Sequence, residues 1–408
     1  MNILFRNRFF QTVLMSNILL QIGIWVRNFA ILLYVTEKTD NDPIAVSLIS
    51  VAEFAPIFLF AFIGGTFADR WRPRRTMIWC DFLSAAAVGV VLLALIYESW
   101  AAVYLATFLS ATLSQFSAPS SMKLFKRYVP QEQLQSAMGI FQTLMALFMI
   151  AGPSIGTIVF QNFGIHVSIA VMGVASLLSA LVLIRIPRDE VIESSAEAKQ
   201  TTVISEMKDG LRYVWGSRVL RTMCITFLLA GLSGGLGQTM GIFVVTERLG
   251  QPKEFLQYVL MVSGIGMLVG GAGVAVLAKK MAPVKMLALA LAVCTVGTIG
   301  VGYSTNVPFT LVLQLFMGMI FPMIHISINT IMLKWSEAAF IGRVSGIMGP
   351  MYMGAMVLMM AIAGPMKTIL PLTVIYTISA LFMLAGTLSL LPLFKQQAPE
   401  KPATSLSA

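Results

Sequence analysis

Gly65-Thr66-Phe67-Ala68-Asp69-Arg70-Trp71-Arg72-Pro73-Arg74-Arg75 is the stretch on which the fold turns. So dense a cationic turn cannot sit in hydrocarbon. Yet the residues on either side, near 44–67 and 77–97, are apolar runs. Each is long enough to cross a bilayer core of ~30 Å at about 1.5 Å per residue. A charged turn between two such runs is a hairpin of membrane helices whose tip lies in water.

Working outward, the same pattern repeats. Further runs fall near 9–34, 101–122, 136–160 and 165–186, then, after a polar interval, near 219–245, 255–278, 284–303, 307–333, 344–366 and 371–394. The sequence therefore predicts an all-α membrane protein of twelve transmembrane helices in two pseudo-symmetric groups of six. The expected division is 1–186, a central loop over 187–217, 218–394, and a tail over 395–408. Composition agrees, since 57% of the 408 residues are hydrophobic and 11% charged, against about 25% charged in a soluble domain. The first run is too long for a signal-peptide core and lacks a small-residue cleavage site, so no cleaved leader is expected. Cys80, Cys224 and Cys294 lie in apolar stretches without paired spacing and read as small core residues, with no metal site.

Lysine and arginine set the orientation. With the N-terminus cytoplasmic, only Lys38, Arg248, Lys253 and Lys367 fall outside, and Arg27 lies within a span; every other Lys and Arg is inside. Both termini are then expected in the cytoplasm. The net charge of +10 is a topological signal, and nucleic acid is not an expected partner. In the central loop, Val203, Met207, Leu211 and Val214 share one helical face beside Lys208 and Arg212, which predicts an interfacial amphipathic helix.

The hairpin tip, with Gly65 four residues before Asp69 and Arg70, Arg74 and Arg75 behind it, resembles the motif between spans two and three of the major facilitator superfamily, though Pro73 stands where an arginine is common. Gly152-Pro153-Ser154-Ile155-Gly156 is similar to a signature of that superfamily's drug–proton antiporters. Three further segments, Phe116–Ser121, Val129–Ala137 and Gly210–Trp215, together with Gly342-Arg343-Val344-Ser345-Gly346, make the whole chain look like the branch of macrolide-efflux proteins and siderophore (enterobactin) exporters. Two departures matter: span four has no arginine, and Ala278-Lys279-Lys280 lacks an acid. Coupling schemes built on a span-four arginine do not carry over.

Ionisable groups inside spans are costly and default to functional candidates. Arg27 and Glu53 sit roughly 10–14 Å below the outer surface by helical rise. Either they pair, or Glu53 titrates or meets a cationic substrate. Asp81, one turn into span three, is a partner of the nearby arginines or a proton site. His325 shares a face with Asn329 and either packs or titrates. Asn17, Gln21 and Asn28 form a stripe on span one, joined by Gln115, Gln142, Gln238, Gln314 and Asn329. Spans six, nine and twelve hold no interior amide or charge. The resemblance implies that spans one, four, seven and ten line a central cavity, so these amides are substrate-cavity candidates. Methionines crowd spans ten and eleven, fitting either adaptable substrate contact or membrane packing.

Gly264-Ile265-Gly266-Met267-Leu268-Val269-Gly270 approximates a dinucleotide fingerprint, but within an apolar span its spacing suits helix packing. With no phosphate-binding loop, no catalytic cluster and only His166 and His325 as histidines, an enzyme is not expected. The resemblance implies a monomeric secondary transporter of a bacterial inner membrane, without cofactor and driven by protons, exporting small amphipathic compounds. The alternative is a dedicated exporter or flippase of a physiological solute such as a siderophore, lysophospholipid or metabolite.

Overall fold

The computed structural model describes residues 7–187, 203–277, 281–337 and 340–395; for 61–70, 203–207, Lys126, Gln135, Ala272, Ala275, Val276 and Lys395 it describes the backbone alone. Among the described residues the regular structure is entirely helical. The elements are α1 (Arg8–Lys38), α2 (Pro43–Arg70), α3 (Pro73–Ile96), α4 (Ala102–Tyr128), α5 (Gln131–Leu183) and α6 (Val203–Gly216). They are followed by α7 (Arg218–Phe243), α8 (Leu256–Leu277), α9 (Pro283–Tyr303), α10 (Val307–Trp335), α11 (Ile341–Ile369) and α12 (Leu372–Leu390).

Ten of these helices are long and apolar enough to cross a membrane. Two features adjust the sequence-based count. The 53 residues of α5 would extend about 80 Å if straight. They do not, because Gly164 takes φ 74° and ψ −174° and breaks the element into two arms. Only glycine adopts that backbone readily. The break falls between the runs read at 136–160 and 165–186. The second feature is α4, which is not among the ten. Gln115 and several hydroxyls make it more polar, and four of the hydroxyls are satisfied internally: Thr107, Thr112, Ser114 and Ser120 each donate to the carbonyl four residues back. Such back-bonding lets a polar sequence stay helical in a low-dielectric setting.

Helix packing uses glycine as a contact surface. Gly266 and Gly270 of α8 lie on the backbone of Leu315 and Met319 in α10, and Gly318 of α10 lies on Ser263. Likewise Gly231 and Gly235 of α7 meet the carbonyls of Tyr352 and Met356 in α11. No side chain fits between these backbones, so the pairs are held by close van der Waals approach. The glycine spacing read as a packing device is one.

The packing sorts the helices. The first five pack mainly among themselves, as do α7 to α12, and the sets meet principally along α2–α11 and α5–α8. On α2–α11, Gly354 faces Phe58 while Gly364 faces Pro43 and Ile44; on α5–α8, Gly264 faces Ile150. At one end of the molecule a shared buried cluster joins the sets, with Val46 and Leu32 packed among Leu236, Met240, Phe243, Val259 and Met359. Lys253 strengthens this end by reaching Glu37 at 2.9 Å and the Leu33 carbonyl at 3.2 Å. Among the described residues, the clusters at the opposite end each draw on one set alone, one of them joined by Tyr213 and Val214 of α6. The molecule is thus sealed at the Lys253 end.

The helix predicted for the central loop exists as α6, but its expected apolar stripe divides. Val214 is fully buried, whereas Leu211 is exposed. Gly210 rests on Arg343 and Ile347 of α11. Tyr213 stacks on Phe340 with centroids 4.2 Å apart and planes 8° apart. The helix is docked on protein by the Gly210–Val214 face, and Val203 and Met207 have side chains outside the described residues. The three cysteines are free and buried.

Candidate functional site

The Asn7 side chain caps α1 by accepting from the Phe9 and Phe10 amides at 2.9 and 3.3 Å. The helix ends in a turn where Asp40 (φ 49°) and Asn41 (φ 63°) are left-handed, a region these two residue types tolerate. Asp42 then caps α2, accepting from Ile44 and Ala45. A tight antiparallel hairpin fixes which residues stand level. Asn28 and Glu53 are each about twelve residues, or ~18 Å, from the turn.

That register builds a polar relay. Arg27, 3% exposed, donates from Nε and Nη2 to Asn28 Oδ1 at 3.0 and 2.8 Å. Asn28 in turn donates from Nδ2 to Glu53 Oε1 at 2.7 Å. Arg27 and Glu53 therefore do not form the direct pair that sequence considered; an amide stands between them. Asn28 belongs to this relay rather than to the free amides. Arg27 Nη1 is buried without a hydrogen-bond partner. The relay holds a carboxylate and a guanidinium close enough for mutual attraction while leaving Glu53 tied to a neutral group.

Asp81 lies elsewhere. It is 4% exposed and accepts from Ser179 Oγ of the second arm of α5, whose hydroxyl also meets Ser16 Oγ of α1 at 2.8 Å. Among the described residues no arginine is bonded to it; Arg74 donates to the Ile184 carbonyl at 2.7 Å. Asp81 is a three-helix knot, closed on itself. Ser16 and Ser179 were missed because a lone serine in an apolar run carries no signal until the helices are paired.

The signature segment of α5 is a packing surface. A Cβ on Gly152 would meet the Trp25 ring at 2.5 Å, and one on Gly156 would meet Phe29 Cβ at 2.7 Å and the Trp25 carbonyl at 2.8 Å. Pro153 sits between them, and Thr157 donates to its carbonyl at 2.9 Å. On the opposite side of α1, Gly23 meets Met172 and Ala175 of the second arm. Helix α1 is thereby clasped by both arms of α5, and its remaining face carries Asn17, Gln21 and Asn28.

Gln115, Gln142, Gln238, Gln314 and Asn329 make no hydrogen bond among the described residues; Gln142, Gln238 and Asn329 are exposed, while Gln115 and Gln314 are half-buried. Gln21 contacts Met145 Sδ, and Asn17 Oδ1 is buried without a partner. His325 is exposed and lies 4.8 Å from the Phe321 ring. On α10, Gly318 and Met319 face α8 while Leu313 and Met317 face α9. Helical periodicity puts Gln314, Phe321 and His325 between these two contact faces, and Asn329 beside Gly318. These amides offer unengaged donors and acceptors on five helices. Several methionines do not join them: Met323, Met348, Met356, Met359 and Met360 are buried, and so serve packing.

Of the hairpin-tip motif, the side chains of Gly65, Asp69 and Arg70 lie outside the described residues. Arg75 is exposed. Arg343, at the start of α11, sits over the Phe340 ring at 5.0 Å, completing a Tyr213–Phe340–Arg343 stack. Among the described residues no three His, Cys, Asp or Glu are grouped to hold a metal.

Known proteins share this architecture. The chain is 27% identical over 335 residues to the multidrug efflux pump Tap of Mycolicibacterium fortuitum, covering 80% of this chain and 81% of Tap. It is 25% identical over 191 residues to macrolide efflux protein A of Streptococcus pyogenes, covering 46% of each. The crystal structure of nucleoside transporter NupG superposes with a TM-score of 0.72 at 15% identity, covering 96% of this chain and all of that one, a likeness of fold alone. The Major Facilitator Superfamily description matches residues 13–360. The chain belongs to the Major Facilitator Superfamily and is a multi-pass membrane transporter of small molecules, not an enzyme.

Proposed function

We propose that this transporter is a proton-coupled exporter of small amphipathic or cationic compounds, working as a monomer in the inner membrane of a bacterium. In this reading twelve crossings, namely α1–α4, the two arms of α5, and α7–α12, form two groups of six with both termini cytoplasmic. The halves rock about a midplane site, and the sealed Lys253 end is the outer one. The cavity amides contact substrate, the loop of 187–217 bears the docked α6, and Asp69 latches the cytoplasmic end against the start of α11. A proton gradient supplies the energy.

The observation that carries the coupling assignment is the Arg27–Asn28–Glu53 relay. Glu53 is a mid-span carboxylate whose hydrogen-bond partner is a neutral amide, so gaining a proton costs it no direct ion pair. Asp81 accepts from the Ser179 hydroxyl, which Ser16 also meets, and lies apart from that relay in a contact between α1, α3 and α5. The kinship with a pump named for multidrug efflux supports the substrate class. The test is dye efflux in everted vesicles from a host stripped of its own exporters, under an imposed pH gradient. An uncoupler should abolish transport, and Glu53→Gln should reduce it at least tenfold. Gradient-independent efflux, or normal efflux by Glu53→Gln, overturns the proposal.

A further inference from the structure

A groove of about 600 Å³ opens between α3 and α4 at the cationic hairpin tip, away from the relay and the unengaged amides. Arg72 and Arg75 stand at its rim, both exposed. Among the described residues neither makes an ion pair or hydrogen bond through its side chain, in contrast to Arg74. Helix α3 begins beside them without a side-chain cap, so the positive end of its dipole adds to the two guanidiniums.

The rest of the groove has the opposite character. Trp79, 64% exposed, and Leu83, 50% exposed, continue the stripe along α3, and Leu113 faces them from α4. Trp71 stacks on Phe116 at 5.8 Å beside the arginines. From Arg72 to Leu83 the stripe runs roughly 16 Å, about the hydrocarbon depth of one leaflet in a core of ~30 Å. A soluble phosphate would use the arginines and leave the apolar length idle. A cationic amphiphile would be repelled. An anion carrying an acyl chain meets complementary chemistry along the whole groove, with tryptophan at the headgroup level.

We propose that the α3–α4 groove binds one anionic phospholipid, its phosphodiester held by Arg72 and Arg75 and one acyl chain lying along Trp79, Leu83 and Leu113. The full-length protein, purified in non-ionic detergent, is titrated with phosphatidylglycerol or phosphatidylcholine bearing brominated acyl chains, and tryptophan quenching is followed. Phosphatidylglycerol should quench saturably at a mole fraction at least fivefold lower than phosphatidylcholine does. Trp79→Phe should remove most of that component. Arg72→Gln with Arg75→Gln should erase the headgroup preference at an unchanged unfolding temperature in detergent. Excess soluble glycerol phosphate should displace nothing. Should the double variant fail to fold, the single variant Arg75→Gln reads the same property, with the preference at least halved. Equal quenching by both lipids, a preference that survives these arginine changes, or displacement by glycerol phosphate overturns the proposal.

Discussion

Asn28 and Glu53 stand level across the α1–α2 hairpin, and the Asn28 amide donates to Glu53 Oε1 at 2.7 Å while accepting from Arg27. An amide has a donor end and an acceptor end, so it reports the order of the charges around it. The first prediction follows from that polarity. Exchanging the charges, Arg27→Glu with Glu53→Arg, requires Asn28 only to turn its amide over. The double exchange should fold to a thermal stability near wild type, whereas each single change should lower it by at least several degrees. Thermal unfolding of the purified variants measures both, and a double exchange no better than the singles removes the relay.

The second prediction separates the amide from the charges. Asn28→Leu leaves a buried guanidinium and a carboxylate each short of a partner, a loss of about 1.5–3 kcal/mol for hydrogen bonds to charged groups. Stability should fall accordingly, and coupled efflux should fall more than tenfold. Asn28→Gln, which keeps the chemistry but lengthens the reach, should fall between. Unfolding curves and vesicle efflux read the two effects separately.

Much of this architecture was legible in the sequence. Apolar run length placed the helices, and the gap between the runs near 136–160 and 165–186 is where Gly164 divides α5 into two arms. The depth of Arg27 and Glu53 followed from counting along their helices. What counting on single helices could not give is which residues face one another. Asn28 was grouped with Asn17 and Gln21 because all three share a helical stripe; only the register set by Asp40, Asn41 and Asp42 assigns it to Glu53. Asp81 was read toward nearby arginines because sequence proximity stood in for contact, when its partner Ser179 lies 98 residues away. The amphipathic stripe of α6 was read against lipid, although Gly210 and Val214 turn one side of it onto α11.

A third prediction concerns that knot. Asp81→Asn keeps a group that can meet Ser179, so folding should survive and efflux should stay within about threefold of wild type. Ser179→Ala strips the buried acid of its donor and should cost roughly 1.5–3 kcal/mol. If Asp81→Asn abolishes transport while remaining folded, the knot takes part in coupling and the assignment of Glu53 as the coupling acid weakens.

The fourth prediction addresses the sealed end. The Lys253–Glu37 pair is partly exposed, with Glu37 67% accessible, and exposed pairs contribute about 0–1 kcal/mol. Lys253 has a second acceptor in the Leu33 carbonyl. Lys253→Met should therefore shift the population toward opening at this end more than Glu37→Gln does, by roughly fivefold at most for a change of 1 kcal/mol. Spin labels placed across this mouth would resolve the two distributions. Equal shifts would show that the carbonyl contact adds nothing.

The Asp81–Ser179 contact also constrains how the protein is made. Helix α3 leaves the ribosome well before the second arm of α5, and 98 residues separate the two partners. At ~5–20 residues per second, the acid waits about 5–20 s in a nascent hairpin that cannot yet satisfy it. During that interval α3 must linger beside the insertion machinery or keep Asp81 near water, entering its final position only when Ser179 arrives. A side chain that looks inert in the finished molecule thus sets a schedule for its assembly, and variants at Ser179 should be found first among chains cleared by membrane quality control.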